Sequence, residues 1–351
     1  MIYFFTNDLR VHDNIAWEFF LKSGGKECIG ILDESFQNER KNIRAFNVFK
    51  KGLEDLFVEL QAKGFKVEIL KDYKKMRGRE IVMSDDTSPF AQKRLKEIQG
   101  IASKVHLFDT KHFLPGTEKK YKVFGAYYKN RLEEIFKDGV YKNLRKNTSS
   151  EPLNTPLYLE AIKNLKGFNS DLYKRSSKAS IKVRSGSTNT SWAIARGIMS
   201  TREVYEYVRK NDPDGLESLV RELLFRDFYS RATLWFIKDY GDTFRNPGVV
   251  WKVNSLDDLI KKIHGAPKVI KEIYHVLLKT GNLSNYGRML FATWVYDIGA
   301  NWRLGELLFA RELIDYDYSN NHWNWAHHSI QGLNYQWPER KFKIDDTILY
   351  V

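Results

Sequence analysis

The rhythm of apolar residues changes once along this 351-residue chain, and that change limits the fold more than any other feature. Up to about residue 110, short apolar-rich runs alternate with longer stretches in which apolar positions fall three and four apart. The runs are Ile2–Phe5, Cys28–Leu32, Val67–Leu70, Glu80–Met83 and Val105–Phe108; Arg44–Gln61 and Phe90–Ile98 are examples of the intervening stretches. The first pattern suits strands and the second amphipathic helices, and their alternation predicts a doubly wound parallel sheet. Beyond Ser187 the strand pattern stops. Leu216–Trp235 and Arg303–Ile314 carry helical spacing alone, which predicts an all-α second half.

The expected architecture is therefore an N-terminal parallel α/β (Rossmann-like) domain over 1–134 and a helical domain over 187–351. A polar, lysine-rich interdomain linker over 135–186 is expected to cross the surface between them. Tryptophan usage shifts at the same place, since Trp17 stands alone in the first half and eight more follow from Trp192 onward. The first strand runs into Thr6-Asn7-Asp8-Leu9-Arg10, without a glycine-rich dinucleotide fingerprint, and Gly24-Gly25 reads as a plain turn.

Composition removes several classes of function. The single cysteine, Cys28, excludes an internal disulfide framework, an all-cysteine zinc site and an iron–sulfur cluster, and it fits a reducing intracellular compartment. No apolar run approaches the roughly 20 residues of a membrane span. The start lacks the basic, apolar and small-residue order of a signal peptide, so a soluble, unprocessed chain with no membrane partner is expected. The net charge of +13 points to a polyanionic partner, most simply nucleic acid, although a solubilising lysine surface explains charge alone equally well.

Three segments of the helical half concentrate polar chemistry. Ser187-Thr188-Asn189-Thr190-Ser191 precedes a helix beginning near Trp192, where hydroxyls, an amide and open backbone N–H groups suit a phosphate. Taken alone, it reads more simply as an ordinary N-cap with redundant serines. On the second segment Glu222, Phe225, Arg226 and Tyr229 share one helix face, which suits a flat polar ring; an i,i+4 ion pair of Glu222 with Arg226 is the plainer alternative. The third runs from Asn285-Tyr-Gly-Arg288-Met289 through Asn301-Trp302-Arg303-Leu-Gly305-Glu306 to Leu313-Ile-Asp315-Tyr-Asp317 and Trp325. Polar groups among apolar helices need partners, and Arg288 with Asp315 forms the expected buried pair.

These segments resemble the flavin-binding core of the photolyase and cryptochrome family. The family's Asn-x-x-Arg-Met, Asp-Trp-Arg-x-Gly-Glu and Leu-Ile-Asp-x-Asp motifs are matched, with Asn301 in place of the first aspartate. Asn7-Asp-Leu-Arg-Val-His-Asp-Asn14 and the stretch from Leu114-Pro-Gly to Tyr121-Lys-Val-Phe124 match family signatures in the α/β half. The likeness spans both halves in order and is nearest to the DASH cryptochromes and the photolyases that act on cyclobutane pyrimidine dimers, in a shortened form.

That resemblance implies a monomeric, FAD-dependent enzyme that repairs UV-damaged DNA with light, or a blue-light photoreceptor without repair. Ser187, Thr188, Asn189, Thr190 and Ser191 are then expected at the FAD phosphates, with Tyr173 as a further contact, although the family usually carries a basic residue where Asn189 stands. Arg226, Arg288, Asp315, Asp317 and Asn321 are expected around the flavin, Asn321 at the position facing N5. Glu222, Asn285 and Met289 match residues between flavin and lesion. Phe225, Arg226, Tyr229 and His327 are expected to meet substrate, with Phe225 standing where the family has a tryptophan. Trp325, Trp302 and Trp251 match the electron-donating triad, in that order from flavin to surface. His322, His327 and His328 do not have the spacing of a metal site, and none is expected. Ser84 and Thr87 replace an asparagine and a tyrosine that in the family border an antenna pigment, so the antenna chromophore is expected to be absent.

Overall fold

The computed structural model describes residues 1–32, 41–137, 148–175, 180–183, 185–236, 249–329 and 333. Five parallel strands, β1 (Ile2–Phe5), β2 (Glu27–Ile31), β3 (Lys66–Leu70), β4 (Glu80–Ser84) and β5 (Lys104–Phe108), lie in the order β3-β2-β1-β4-β5. Each lies within about a residue of the run expected for it. The side-chain period of two divides the sheet into two faces. Tyr3, Phe5, Cys28 and Val82 pack on one face with α1 (Ile15–Lys22) and α2 (Ile43–Ala62). Ile2, Phe4, Ile29, Ile81 and Met83 pack on the other with α3 (Pro89–Gln99). Side-chain caps start all three helices: Asn14 accepts from the Trp17 N–H, Asn42 from Ala45 and Ser88 from Ala91, the last just ahead of Pro89. The strand order reverses between β1 and β4.

After α4 (Phe124–Lys137), the stretch expected to be a surface linker contains helical structure. Its helix α5 (Pro156–Lys166) is capped by Thr155, with Pro156 in its first turn, and buries Leu157, Tyr158, Ala161 and Leu165 in the core shared with α2. A short α6 (Ser170–Arg175) follows. Lysines on the solvent side made the composition polar while one stripe remained apolar, and that stripe folds back onto the α/β layer. Residues 138–147, 176–179 and 184 of this stretch lie outside the described residues.

The helical half comprises α7 (Ser191–Ala195), α8 (Thr201–Asn211), α9 (Leu216–Phe236), α10 (Leu256–His264), α11 (Lys268–Thr280), α12 (Asn285–Asp297), α13 (Trp302–Glu312) and α14 (Tyr318–His328). Helices α9 to α14 surround a cluster that includes Leu224, Phe228, Leu290, Phe291, Phe309 and Trp325, whereas α7 and most of the buried face of α8 pack through Trp192, Ala193, Val204 and Val208 into the core shared with α1 and α2.

The amino-terminal signature residues stitch the two halves together. Asp8 accepts from the Tyr3 hydroxyl at 2.7 Å and the Thr6 N–H at 2.8 Å, while Arg10 donates to the Gly197 carbonyl at 3.0 Å. Arg202 of α8 donates to both carboxylate oxygens of Asp13, at 3.0 and 2.9 Å. Gly197 has φ +68°, and a Cβ there would lie 2.3 Å from the Asn7 carbonyl oxygen, so close approach of the two backbones requires glycine. On the other side of the seam, Asp227 of α9 accepts from the Phe113 and Leu114 N–H groups at 2.9 and 3.0 Å. The bonds of Arg10, Arg202 and Asp227 pair buried polar groups across the junction, which makes the relative placement of the halves specific.

Candidate functional site

A cleft of about 380 Å³ opens between α6, the 187–191 loop and the start of α12. Tyr173, Ser187, Thr188, Asn189, Thr190, Ser191, Asn285, Arg288 and Met289 all line it, so nine of the residues expected at a cofactor or lesion converge there. Val183, Asn282, Leu283, Ser284 and Tyr286 also line it and went unnoticed in the sequence. The last four precede or surround Asn285, and proximity to a recognised motif was the available signal.

Local backbone chemistry builds these walls. Ser284 caps α12 by accepting from the Gly287 N–H, and its own N–H donates to the Ile181 carbonyl at 3.1 Å. A Cβ on Gly287 would stand 3.0 Å from that carbonyl, so its bare backbone admits the 180–183 segment. Asn189 sits at φ +46°, a left-handed conformation that asparagine tolerates better than most residues. Thr190 makes no side-chain cap; its hydroxyl turns to Thr188 Oγ1 at 3.2 Å. The helix behind it is only five residues long, so the loop's hydroxyls and amides, more than a helix dipole, give this wall its polarity.

Two ion pairs lie among the expected site residues, and of their four members Arg288 lines the cleft. Arg288 Nη2 donates to both oxygens of Asp315, at 3.0 and 2.9 Å, which is the pairing expected from sequence. Arg226 Nη2 donates to Asp317 at 3.2 Å, so it does not take the i,i+4 pairing with Glu222 that the helix spacing also allowed. Burial opposes ionisation of Asp317, but Arg226, the Asn320 N–H and Lys111 together hold its carboxyl below the ordinary range. Asn321 is buried and donates to the Glu306 carbonyl at 3.0 Å.

Glu222 keeps contact with solvent, yet loss of hydration among the surrounding walls raises its carboxyl pKa, with Arg221 opposing the shift. Tyr229, which feels the Glu222 charge, is also raised, chiefly by burial. A carboxyl shifted in this direction holds a proton more readily than an unperturbed one, which suits hydrogen bonding to a carbonyl.

The aromatic residues are arranged differently from a simple reading of the helix face. Phe225 is stacked on Phe124 of α4, with ring centres 3.3 Å apart and planes at 13°, so one of its faces is occupied within the protein. Trp325 is buried against Phe309 at 5.0 Å and Phe291 at 6.3 Å, with its indole edge over Gly305, one turn along α13 from Trp302. Trp302 is also buried. Trp251 is half-buried, and its neighbour segment bridges to the start of α13 through the Asn301 N–H and the Val253 carbonyl at 2.9 Å. Trp302 thus lies on α13 and Trp325 against it, while Trp251 stands two residues before the backbone bond to Asn301. His327, in the last turn of α14, lies half-buried beside His328, with ring centres 5.4 Å apart.

Sequence reading passed over one cluster. His322 Nδ1 lies 2.9 Å from Glu306 and 3.1 Å from Arg303, closing a carboxylate–imidazole–guanidinium knot between α13 and α14. Burial works against the Glu306 charge, but His322 and Arg303 lower its pKa on balance. Among the described residues, no group of His, Cys, Asp and Glu side chains is arranged to hold a metal ion.

Residues 219–346 match the family described as the FAD binding domain of DNA photolyase. The chain is thus similar to photolyases and cryptochromes. It is 32% identical over 151 residues to a deoxyribodipyrimidine photo-lyase of Alkalihalophilus pseudofirmus, a match covering 40% of this chain and 31% of that protein. It is 25% identical over 205 residues to the corresponding protein of Neurospora crassa, covering 54% and 33%. A cryptochrome DASH of Natronomonas pharaonis is 30% identical over 153 residues, covering 40% and 31%. The sequence matches thus span about a third of these curated relatives. The fold matches more widely: the archaeal photolyase of Sulfolobus tokodaii superposes with a TM-score of 0.77 at 20% identity, over 96% of this chain and 84% of that one. A Synechocystis cryptochrome gives 0.73 at 19% identity, over 97% and 83%. Among the described residues, no helix is long and apolar enough to cross a membrane.

Proposed function

We propose that this protein binds FAD in the 380 Å³ cleft and repairs cyclobutane pyrimidine dimers in UV-damaged DNA with light. The observation that carries the reading is convergence: hydroxyl and amide side chains at 187–191, the Arg288–Asp315 pair and Asn285 with Met289 meet around one opening of cofactor-site size. The residues present fit the group. Uncharged donors and loop N–H groups at Ser187–Ser191 would hold the phosphates, and the Arg288–Asp315 and Arg226–Asp317 pairs would border the ring system. When bound, FAD supplies light absorption and one-electron chemistry that no side chain offers.

The chain's own residues then bind, orient and exclude water. Exposed lysines and arginines on a chain of net charge +13 neutralise backbone phosphates. A damaged, poorly stacked pair leaves the duplex more cheaply than an intact one, which favours its extrusion. Glu222, with its raised pKa, donates a hydrogen bond to a pyrimidine carbonyl and stabilises charge that develops there. Asn321, fixed by its bond to the Glu306 carbonyl, presents an uncharged side chain toward the flavin. Trp325, Trp302 and Trp251 supply electrons from the surface. The antenna pigment is absent in this reading.

The test is anaerobic illumination of the reduced protein with an oligonucleotide containing one thymine dimer, scoring restored thymines. Restoration that requires light and FAD is the expected result; none at any FAD occupancy refutes the repair reading. A photoreceptor without repair is the second reading, favoured by the DASH cryptochromes among the relatives, and it predicts full FAD binding with no restoration.

A further inference from the structure

Arg303, Glu306 and His322 form a charged cluster, and none of the three lines the cleft. The Arg303 guanidinium folds back over the indole of the preceding residue, Trp302, with its central carbon 4.2 Å from the ring centre. Arg303 Nη1 donates to Glu306 Oε2 at 3.0 Å, and Nε is buried without a hydrogen-bond partner among the described residues, so the indole face and Glu306 fix the group. Glu306 is in turn held by His322, whose Nδ1 lies 2.9 Å from its other oxygen. Burial opposes ionisation of Glu306, yet His322 and Arg303 keep its carboxyl below the ordinary range, so a carboxylate stands beside the guanidinium.

A cation on the face of an indole is attracted by its electrons and opposes the removal of one of them. Trp302 is 2% exposed, so water screens that field weakly. The Glu306 carboxylate acts in the opposite sense. Trp302 therefore lies under two fixed and opposed charges, with the positive one directly over its ring. Trp325 packs over Gly305, one turn along α13, and half-buried Trp251 lies on the far side of the Val253–Asn301 bond.

We propose that Arg303 sets the electron-donating power of Trp302, making it a relay on which an electron vacancy does not rest, with Glu306, placed by His322, as the counter-charge that keeps the relay passable. The proposal rests on the reading that a light-excited oxidised flavin draws electrons through the three tryptophans, and it names the residues that govern the middle step. Trp325, having given one electron to the flavin, takes one from Trp302; no bond is made or broken and no proton moves. The Arg303 charge raises the energy of oxidised Trp302 and pushes the vacancy on to Trp251. Arg303 and Glu306 act through Trp302 and are positioning residues.

The experiment flashes the FAD-loaded full chain with its flavin oxidised and follows the tryptophan radical cation by its visible absorption; DNA repair is not scored. Every variant also carries Trp251→Phe, which strands the vacancy between Trp325 and Trp302. Its lifetime then reports how strongly Trp302 is preferred, because return to the flavin runs through Trp325. Arg303→Gln should lengthen that lifetime at least about 5-fold, which is what remains of a unit charge 4 Å away under full water screening. Glu306→Gln should shorten it, and Arg303→Lys, which keeps a cation, should stay nearer to Trp251→Phe alone than to Arg303→Gln. Loosened packing would move both glutamine variants the same way, so opposite signs separate charge from structure. If Glu306→Gln fails to fold, the two Arg303 variants still decide. Equal lifetimes in Arg303→Gln and Trp251→Phe alone overturn the proposal, as does a change of the same sign in both glutamine variants. A parent chain that retains FAD but yields no tryptophan radical overturns the electron-supply reading first and the proposal with it.

Discussion

Gly305→Ala separates two opposing effects that the structure lets one estimate. Gly305 lies mid-helix in α13, where glycine costs about 1 kcal/mol relative to alanine, so propensity alone favours the substitution. Packing opposes it. A Cβ at this position would lie 2.1, 2.4 and 2.8 Å from three carbons of the Trp325 indole. Carbon atoms rest at about 3.5–4.0 Å, so the indole must withdraw by about 1.5 Å. It has nowhere to go, being 2% exposed and set between Phe309 and Phe291. Overpacking of this kind costs about 1–3 kcal/mol. The net expectation is a destabilisation of about 0–2 kcal/mol, or a few degrees in Tm.

A control makes the steric part readable. Gly125, near the start of α4, has nothing within 4 Å of its would-be Cβ, so Gly125→Ala should be neutral or stabilise by up to about 1 kcal/mol. Scanning calorimetry of both variants should give a gap of about 1–3 kcal/mol, with Gly305→Ala the less stable. Tryptophan emission should change only in Gly305→Ala, since only there does an indole move. A Gly305→Ala variant at least as stable as Gly125→Ala, with unchanged emission, would refute the packing argument.

Three further outcomes follow from named contacts. Asp227→Ala strands the buried Phe113 and Leu114 N–H groups at the junction and should cost about 2–4 kcal/mol in urea unfolding; a loss below 1 kcal/mol means water replaces the carboxylate. The Glu222 carboxyl is raised above its ordinary value of 4.5, so the native state holds that proton more tightly than the unfolded chain does. Its favourable contribution is therefore present at low pH and is lost as pH rises through the raised value. Relative to Glu222→Gln, the parent should lose Tm as pH rises above 4.5, and a pH-independent difference would contradict the shift. Arg288→Gln leaves Asp315 without its partner at the edge of the cleft, so FAD retained through gel filtration should fall at least several-fold, read as flavin absorbance per chain. Retention equal to the parent's would remove the pair from cofactor binding.

The sheet was legible because parallel strands write themselves as short apolar runs, and all five were found within about a residue. The Arg288–Asp315 pair was legible for a different reason: charged groups between apolar helices have few partners within reach. What stayed hidden were contacts between distant segments with no periodic signature. The Phe124–Phe225 stack joins rings 101 positions apart, and neither helix pattern marks the other's ring as its neighbour. The same holds for His322 with Glu306, where the helix spacing of each residue is unremarkable. Helix α5 was missed because composition averages over all its faces, whereas burial involves one.

The Asp315-Tyr-Asp317 stretch shows why a short motif can carry so much of a fold. Its two carboxylates are held from different helices, Asp315 by Arg288 of α12 and Asp317 by Arg226 of α9. The carbonyl of Tyr316 between them accepts from the buried Arg196, which also donates to Asn7 at the end of β1, at 3.2 Å. Three arginines from three parts of the chain therefore converge on three consecutive residues. Adding or removing one residue there would turn a carboxylate away from its arginine while the carbonyl between them stayed pinned. Each misplaced group would be a desolvated charge, costly enough that the surrounding helices tolerate only one register. Asn7 also donates to Asp86 at 3.3 Å, so the same register ties this stretch to the strand ends where the sheet order reverses. The α/β half thus acts on the helical site by fixing the position of this stretch, and the amino-terminal signature residues are structural parts of that site at a distance.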